Sequence, residues 1–282
     1  MTDIAAGKVP ILKCFEDAWR FFFANWRLLL PAAVLPALAT ALAPFLGGGG
    51  MFGDLVSSLV GMVATVFFTA AVLRKAVRDE FAAPFGLAFG ADEVRLLGVL
   101  GSLLAIFVPA ILLVSVVLWV FVLGRVAATP EALEQMMADP EAFTEAVISA
   151  LGAGGALALD LFILILMVIF VTVLVRLSMI NAATIGERRV VVFQTWSWSR
   201  GNVLRMLATL MLTWIPVMLA NVFLAQLVLS LLAPAQGATA SALGVALAGM
   251  LLGLVGALLS IPTIALGATF YKGLRPTGFV AK

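Results

Sequence analysis

The sequence contains no histidine, a single cysteine (Cys14) and a single tyrosine. Without histidine, the commonest general base near neutral pH and the commonest metal ligand are both missing. One cysteine excludes an intrachain disulfide, and nothing around Cys14 has metal-ligand spacing. Charge is scarce too. Asp, Glu, Lys and Arg make up 11% of the chain, against about 25% in soluble domains. No paired-acid, Ser/Lys or Walker-type pattern occurs, so no catalytic residue, metal ion or cofactor is expected, and no nucleic acid as partner. The first apolar run follows 27 residues of both charge signs and has no small-residue cleavage pattern, so no cleavable signal peptide is expected.

What the chain has instead is apolar length. Hydrophobic residues make up 63%, more than a soluble core could hide and more than the roughly 45–50% of ordinary domains. Runs free of charge, or nearly so, cover Leu28–Leu46, Leu55–Leu73, Leu96–Gly124, Leu157–Ile180, Met206–Ala233 and Gly244–Phe270. Each is long enough for the ~20 residues that a helix needs to cross a bilayer. The 282 residues are filled by these spans and their connections, leaving no room for a soluble domain of usual size. The expected fold class is all-α: a polytopic bundle of six transmembrane helices with short interfacial amphipathic helices. Asp160 and Arg176 sit near opposite ends of the fourth run, where each side chain can snorkel to an interface.

Loop charge fixes the expected orientation. Sixteen of the 17 Lys and Arg residues lie on the side that holds both termini, and only Arg125 lies on the other. Eight acids share the basic side and seven the opposite one. By the positive-inside rule both termini face the cytoplasm. Arginine outnumbers lysine twelve to five, and Ala, Gly, Val and Leu dominate, as in bacteria of high G+C content. The expected location is the bacterial inner membrane.

Aromatic residues cluster just before the odd-numbered spans. Ile11, Leu12, Phe15, Trp19, Phe22, Phe23 and Trp26 recur at helical spacing, with Lys13, Glu16, Asp17 and Arg20 opposite. The spacing predicts an interfacial helix with its rings against lipid. Phe81, Phe85 and Phe89 precede span three, and Phe193, Trp196 and Trp198 precede span five. Each group leads to an arginine at the membrane entrance: Arg27, Arg95 and Arg205. One reading is three copies of an interfacial helix plus a two-span hairpin. The other is that any cytoplasmic entrance attracts aromatics and arginines. Membrane lipids are the expected partners of these residues. The domain boundaries expected are 1–27 for the interfacial helix, 28–273 for the membrane domain and 274–282 for a cytoplasmic tail, with an outer acidic helical loop at 126–150.

That outer loop carries Thr129-Pro130-Glu131 and Asp139-Pro140-Glu141, each an N-cap, a proline and a first-turn acid. The run Gly47–Gly50 has no cation nearby and reads as a simple turn rather than a phosphate cradle. Within the spans, Gly249, Gly253 and Ala257 stand four apart, as do Ser57 and Gly61, and Gly98 and Ser102. Such faces let helices pack closely. Pro31, Pro36, Pro44, Pro109, Pro216 and Pro262 can bend their helices. No carboxylate lies near the centre of a span, so a proton- or sodium-coupling site is missing. Thr172, Asn221 and Gln226 are the candidates for a polar cavity.

The stretch Arg176-Leu177-Ser178-Met179-Ile180-Asn181-Ala182-Ala183, then Glu187, Phe193-Gln194-Thr195-Trp196-Ser197 and Arg200-Gly201-Asn202-Val203-Leu204-Arg205, resembles a known membrane domain. It is the one found ahead of some bacterial glycerophosphodiester phosphodiesterases and in related stand-alone six-span inner-membrane proteins. Phe15-Glu16-Asp17-Ala18-Trp19 and Asn25-Trp26-Arg27 are similar in style. The resemblance is concentrated in 176–216, and Asn181 stands where that family has proline. The family's catalytic barrel needs histidines, so no hydrolase activity is implied. The function expected is that of a non-enzymatic membrane protein that scaffolds or regulates a membrane-protein partner, or organises lipid. The alternative is a transporter or channel for a neutral or lipid-like solute.

Overall fold

The computed structural model describes residues 8–47, 50–82, 85–126, 140–232 and 241–276. The Thr129-Pro130-Glu131 signal, Gly48 and Gly49, and most of the C-terminal tail lie outside the described residues. The described residues are helical throughout, with no strand among them, and the chain is an all-α polytopic membrane bundle. Its helices are α1 (Ile11–Gly47), α2 (Met51–Leu73, continued by a π-helical turn Arg74–Arg78), α3 (Ala91–Val126), α4 (Pro140–Leu177), α5 (Ile180–Glu187), α6 (Gln194–Trp198), α7 (Val203–Leu232) and α8 (Ala242–Leu274). Six helical stretches are long and apolar enough to cross a membrane, and they contain the six expected runs.

The chain forms two compact units, Met1–Leu100 with Val175–Lys282, and Gly101–Leu174. In the first, α1, α2 and α8 share a core of Leu29, Ala32, Ala33, Phe68, Ala71, Val72, Ala257 and Ile261. The most extensive pairing is α1 against α8. In the second, the α3 and α4 segments are apolar on all sides and exposed along most of their length. Phe107 and Phe170 meet edge to face there, with ring centroids 6.0 Å apart. Helices of this kind have no polar face to offer water and belong in lipid. Gly152, at φ 62°, breaks α4 between its outer part and its span.

The entrance segments differ from expectation. Residues 1–27 do not form a separate interfacial helix: from Ile11 on, the segment and the first span are one helix of 37 residues. At ~1.5 Å per residue, that helix outreaches the ~30 Å hydrocarbon layer. Nothing between Trp26 and Pro31 stops it, because Arg27, Leu28, Leu29 and Leu30 are all good helix formers. Cys14 and Ala18 are fully buried, and Phe21 and Phe22 pack on the core. Burial against neighbouring helices therefore takes over part of the role expected of lipid. Before span three, residues 85–90 are turn and extended backbone, while before span five only the short α6 forms. The three aromatic entrances thus have three different backbones.

Candidate functional site

The functional features of the first unit lie at two levels, within the membrane spans and at their inner ends. At membrane level a groove of about 600 Å³ opens between α1 and α2. Its walls are Leu35, Leu38, Ala39 and Leu42 on one side and Leu59, Val60, Val63, Ala64 and Phe67 on the other. No polar side chain lines it. A second hollow, of about 370 Å³, lies among α1, α2 and α8 and carries the hydroxyls of Thr40, Thr65 and Ser260. Each hydroxyl donates to a carbonyl of its own helix: Thr40 to Pro36 at 2.9 Å, Thr65 to Gly61 at 2.8 Å and Ser260 to Ala257 at 2.7 Å. They keep acceptor lone pairs but no free donor.

At the inner ends a charge network joins three helices. The π turn places Arg74 and Arg78 beside the start of α3. The Arg74 guanidinium donates to Glu93 Oε1 at 2.5 Å and to the Gly86 carbonyl at 2.9 Å. Glu93 is fully buried and also accepts the Gly90 N–H at 3.1 Å. It thereby caps α3 in the manner of the glutamate of a capping box, where the helix dipole favours an anion. Arg78 pairs with Asp92 and with Glu80, the latter at 3.0 Å, and Arg95 reaches Asp92 at 2.9 Å. Three arginines thus face three acids. Such a balanced network clamps helix ends and leaves little field for an external anion.

The clamp extends to α5 and α8. Glu187 accepts the Tyr271 hydroxyl at 2.6 Å and pairs with Arg275 at 2.8 Å. Lys272 donates to the Ala76 carbonyl at 2.7 Å, satisfying an acceptor that the end of α2 leaves open. Lys75 donates to Asp79, which sits outside the spans, and holds that carboxyl below its ordinary range. The start of α7 is tied to the N-terminal segment, since the Val9 N–H donates to Asn202 Oδ1 at 2.9 Å. Arg205 donates to the Val9 carbonyl at 3.4 Å. Among the described residues, no group of three or more Cys, Asp and Glu is placed to hold a metal ion.

The residues singled out by sequence separate into distinct settings. Phe15, Trp19 and Phe22 form a half-buried ring ladder along α1, with centroids 6.3 Å and then 5.8 Å apart. Arg27 lies over the Trp26 ring at 5.3 Å. Phe85 and Phe89 are exposed, and Phe89 stacks on Phe67 at 5.6 Å. Trp196 is exposed and carries Arg176 over its ring at 4.5 Å. Trp198 is buried against Tyr271, so it packs protein rather than meeting lipid. Arg95 belongs to the clamp. Gly249 and Gly253 lie against the α1 backbone, and Ala257 joins the core.

Thr172, Asn221 and Gln226 are not brought together as one cavity within a unit: Thr172 falls in Gly101–Leu174 and the other two outside it. The Asn221 amide donates to Val217 of its own helix at 3.1 Å, and Gln226 is exposed. The hydroxyl-lined hollow uses Thr40, Thr65 and Ser260 instead. At the family-like stretch, the helix breaks at Ser178–Met179 although no proline is present, and α5 starts at Ile180. The clamp was missed by sequence reasoning. Its signals were Asp92-Glu93 opening an apolar run and Arg74 and Arg78 closing the previous one.

No family model, curated protein or solved structure matches this chain.

Proposed function

We propose that the chain is a non-enzymatic protein of the bacterial inner membrane, with both termini cytoplasmic, that organises membrane lipid. The observation that carries this reading is the wholly apolar groove between α1 and α2, open to the side at membrane depth. Apolar groups gain little by leaving lipid for protein, so an occupant is held by close packing. Leucine and valine walls suit an acyl chain in this respect. The likeness of 176–216 to the membrane domain of glycerophosphodiester phosphodiesterases points the same way, toward a lipid setting without hydrolysis. The protein purified in mild detergent is expected to retain phospholipid after exhaustive washing. Val63→Trp, which fills the groove, is expected to lower retention about tenfold, or roughly 1.4 kcal/mol. Equal retention by the two proteins in quantitative lipid mass spectrometry would defeat the reading. Replacement of the lipid by a stoichiometric protein in the washed complex would favour a partner-scaffolding role.

A transporter of a neutral solute is the second reading, favoured by the hydroxyl-lined hollow among α1, α2 and α8. Flux of such a solute into proteoliposomes, lost on Ser260→Leu, would support it over lipid organisation.

The proposed orientation rests on the 16-to-1 division of basic residues. In a Cys14→Ser background, Asp54→Cys and Ser241→Cys are expected to react with an impermeant thiol reagent on intact cells. Asp79→Cys and Arg275→Cys should react only after lysis. Labelling of the second pair in intact cells would invert the topology.

A further inference from the structure

A smaller cavity of about 240 Å³ lies at the inner end of the bundle, where α1, the π turn of α2 and α8 converge. Its charged lining is Asp17 and Arg20, one turn apart on α1. The rest is almost entirely small: Ala24, Ala76, Ala265 and Ala268 come from three different helices and leave a hollow where longer side chains would close it. Its depth is set by the charges around it. Ala76 follows Lys75 just beyond the apolar run of α2, and Lys272 stands one turn past Ala268. This is the level of the phospholipid headgroups. The nearby Arg74 and Arg78 are engaged by Glu93 and Asp92, so Arg20 is the cation of the cavity and Asp17 its anion.

A carboxylate and a guanidinium in one small cavity match a ligand that carries both signs. Arg20 suits a phosphate through its forked donors, and Asp17 accepts from an ammonium. The volume equals that of about eight waters at ~30 Å³ each, the size of a phosphoethanolamine group. We propose that this cavity is a headgroup site for a zwitterionic aminophospholipid of the adjoining leaflet, with phosphate toward Arg20 and ammonium toward Asp17. The proposal adds headgroup selectivity to the lipid-binding reading and rests on it, although its cavity is separate from the α1–α2 groove.

The test is competition between phosphatidylethanolamine and phosphatidylglycerol of identical chains, offered in mixed micelles to the delipidated full-length protein and read by native mass spectrometry. The wild type is expected to prefer phosphatidylethanolamine about tenfold. Asp17→Asn should abolish the preference and Asp17→Glu should restore it, whereas Arg20→Gln should weaken binding of both lipids. The groove variant Val63→Trp should lower total retention and leave the ratio unchanged, so failure of the groove reading and failure of this one give different results. Equal retention of the two lipids by the wild type, or a ratio unmoved by Asp17→Asn in monodisperse protein, would overturn the proposal. Displacement of the lipid by soluble phosphoethanolamine at equal concentration would also overturn it, assigning the site to a free aminoalkyl phosphate.

Discussion

Arg74→Ala is expected to destabilise the detergent-solubilised protein by about 3–5 kcal/mol, the usual result of removing one partner from a buried ion pair. The Arg74 and Glu93 side chains are 6% and 1% exposed, and their contact is 2.5 Å. Without the guanidinium, Glu93 keeps only the Gly90 N–H as partner, and the Gly86 carbonyl loses its donor. The charge is then buried and largely uncompensated. Arg78→Ala should cost less, because Asp92 keeps Arg95 at 2.9 Å. The clearest check is a double-mutant cycle with Glu93→Leu, followed by denaturant titration in a fixed detergent. Removing both charges should recover much of what Arg74→Ala loses, since buried pairs contribute little net stability against apolar replacements. A loss below about 1 kcal/mol for Arg74→Ala would mean that water reaches Glu93 and that the inner end is open.

This clamp also marks where the sequence stopped being readable. The six spans were legible because runs such as Leu96–Gly124 exceed anything a soluble core demands. The orientation argument, however, weighs Lys and Arg near span ends and ignores acids. Asp92 and Glu93 were therefore counted and never paired. Their partners lie 14 and 19 residues away across a turn, a distance at which no local pattern specifies contact. The same holds for Val9 and Asn202, 193 residues apart. The aromatic stripe of α1 was legible as an amphipathic helix, but its amphipathicity alone could not say whether lipid or protein covers the apolar face. The core contacts of Phe21 and Phe22 show protein taking part of it. Thr172, Asn221 and Gln226 were grouped by polarity, whereas an amide that can bond its own helix needs no cavity.

The glycines of α8 carry the other large effect. α1 and α8 run antiparallel, so that Gly249 faces Ala41 and Gly253 faces Ala37. A Cβ at Gly253 would stand 2.8 Å from Ala37 Cα and 2.7 Å from Thr40 Oγ1, and one at Gly249 would stand 3.0 Å from both Ala41 Cα and the Thr40 carbonyl. Backbone atoms cannot rotate away, so a larger residue must push the two helices apart. Between helices in lipid, close packing is the main attraction, and separation forfeits it along the whole contact. Gly253→Leu is therefore expected to cost about 1–3 kcal/mol or more, read as loss of monodisperse protein on heating. Gly61→Leu is the control, because a Cβ there meets nothing within 4 Å, and it should be nearly neutral. A milder pair separates the two nearest atoms. Gly253→Ala should be partly rescued by Thr40→Ala, which removes the hydroxyl at 2.7 Å, and more fully by Thr40→Ala with Ala37→Gly, which frees room beside the backbone. If Gly253→Leu behaves like Gly61→Leu, α1 and α8 do not touch in the membrane, and the three-helix core built on that contact is wrong.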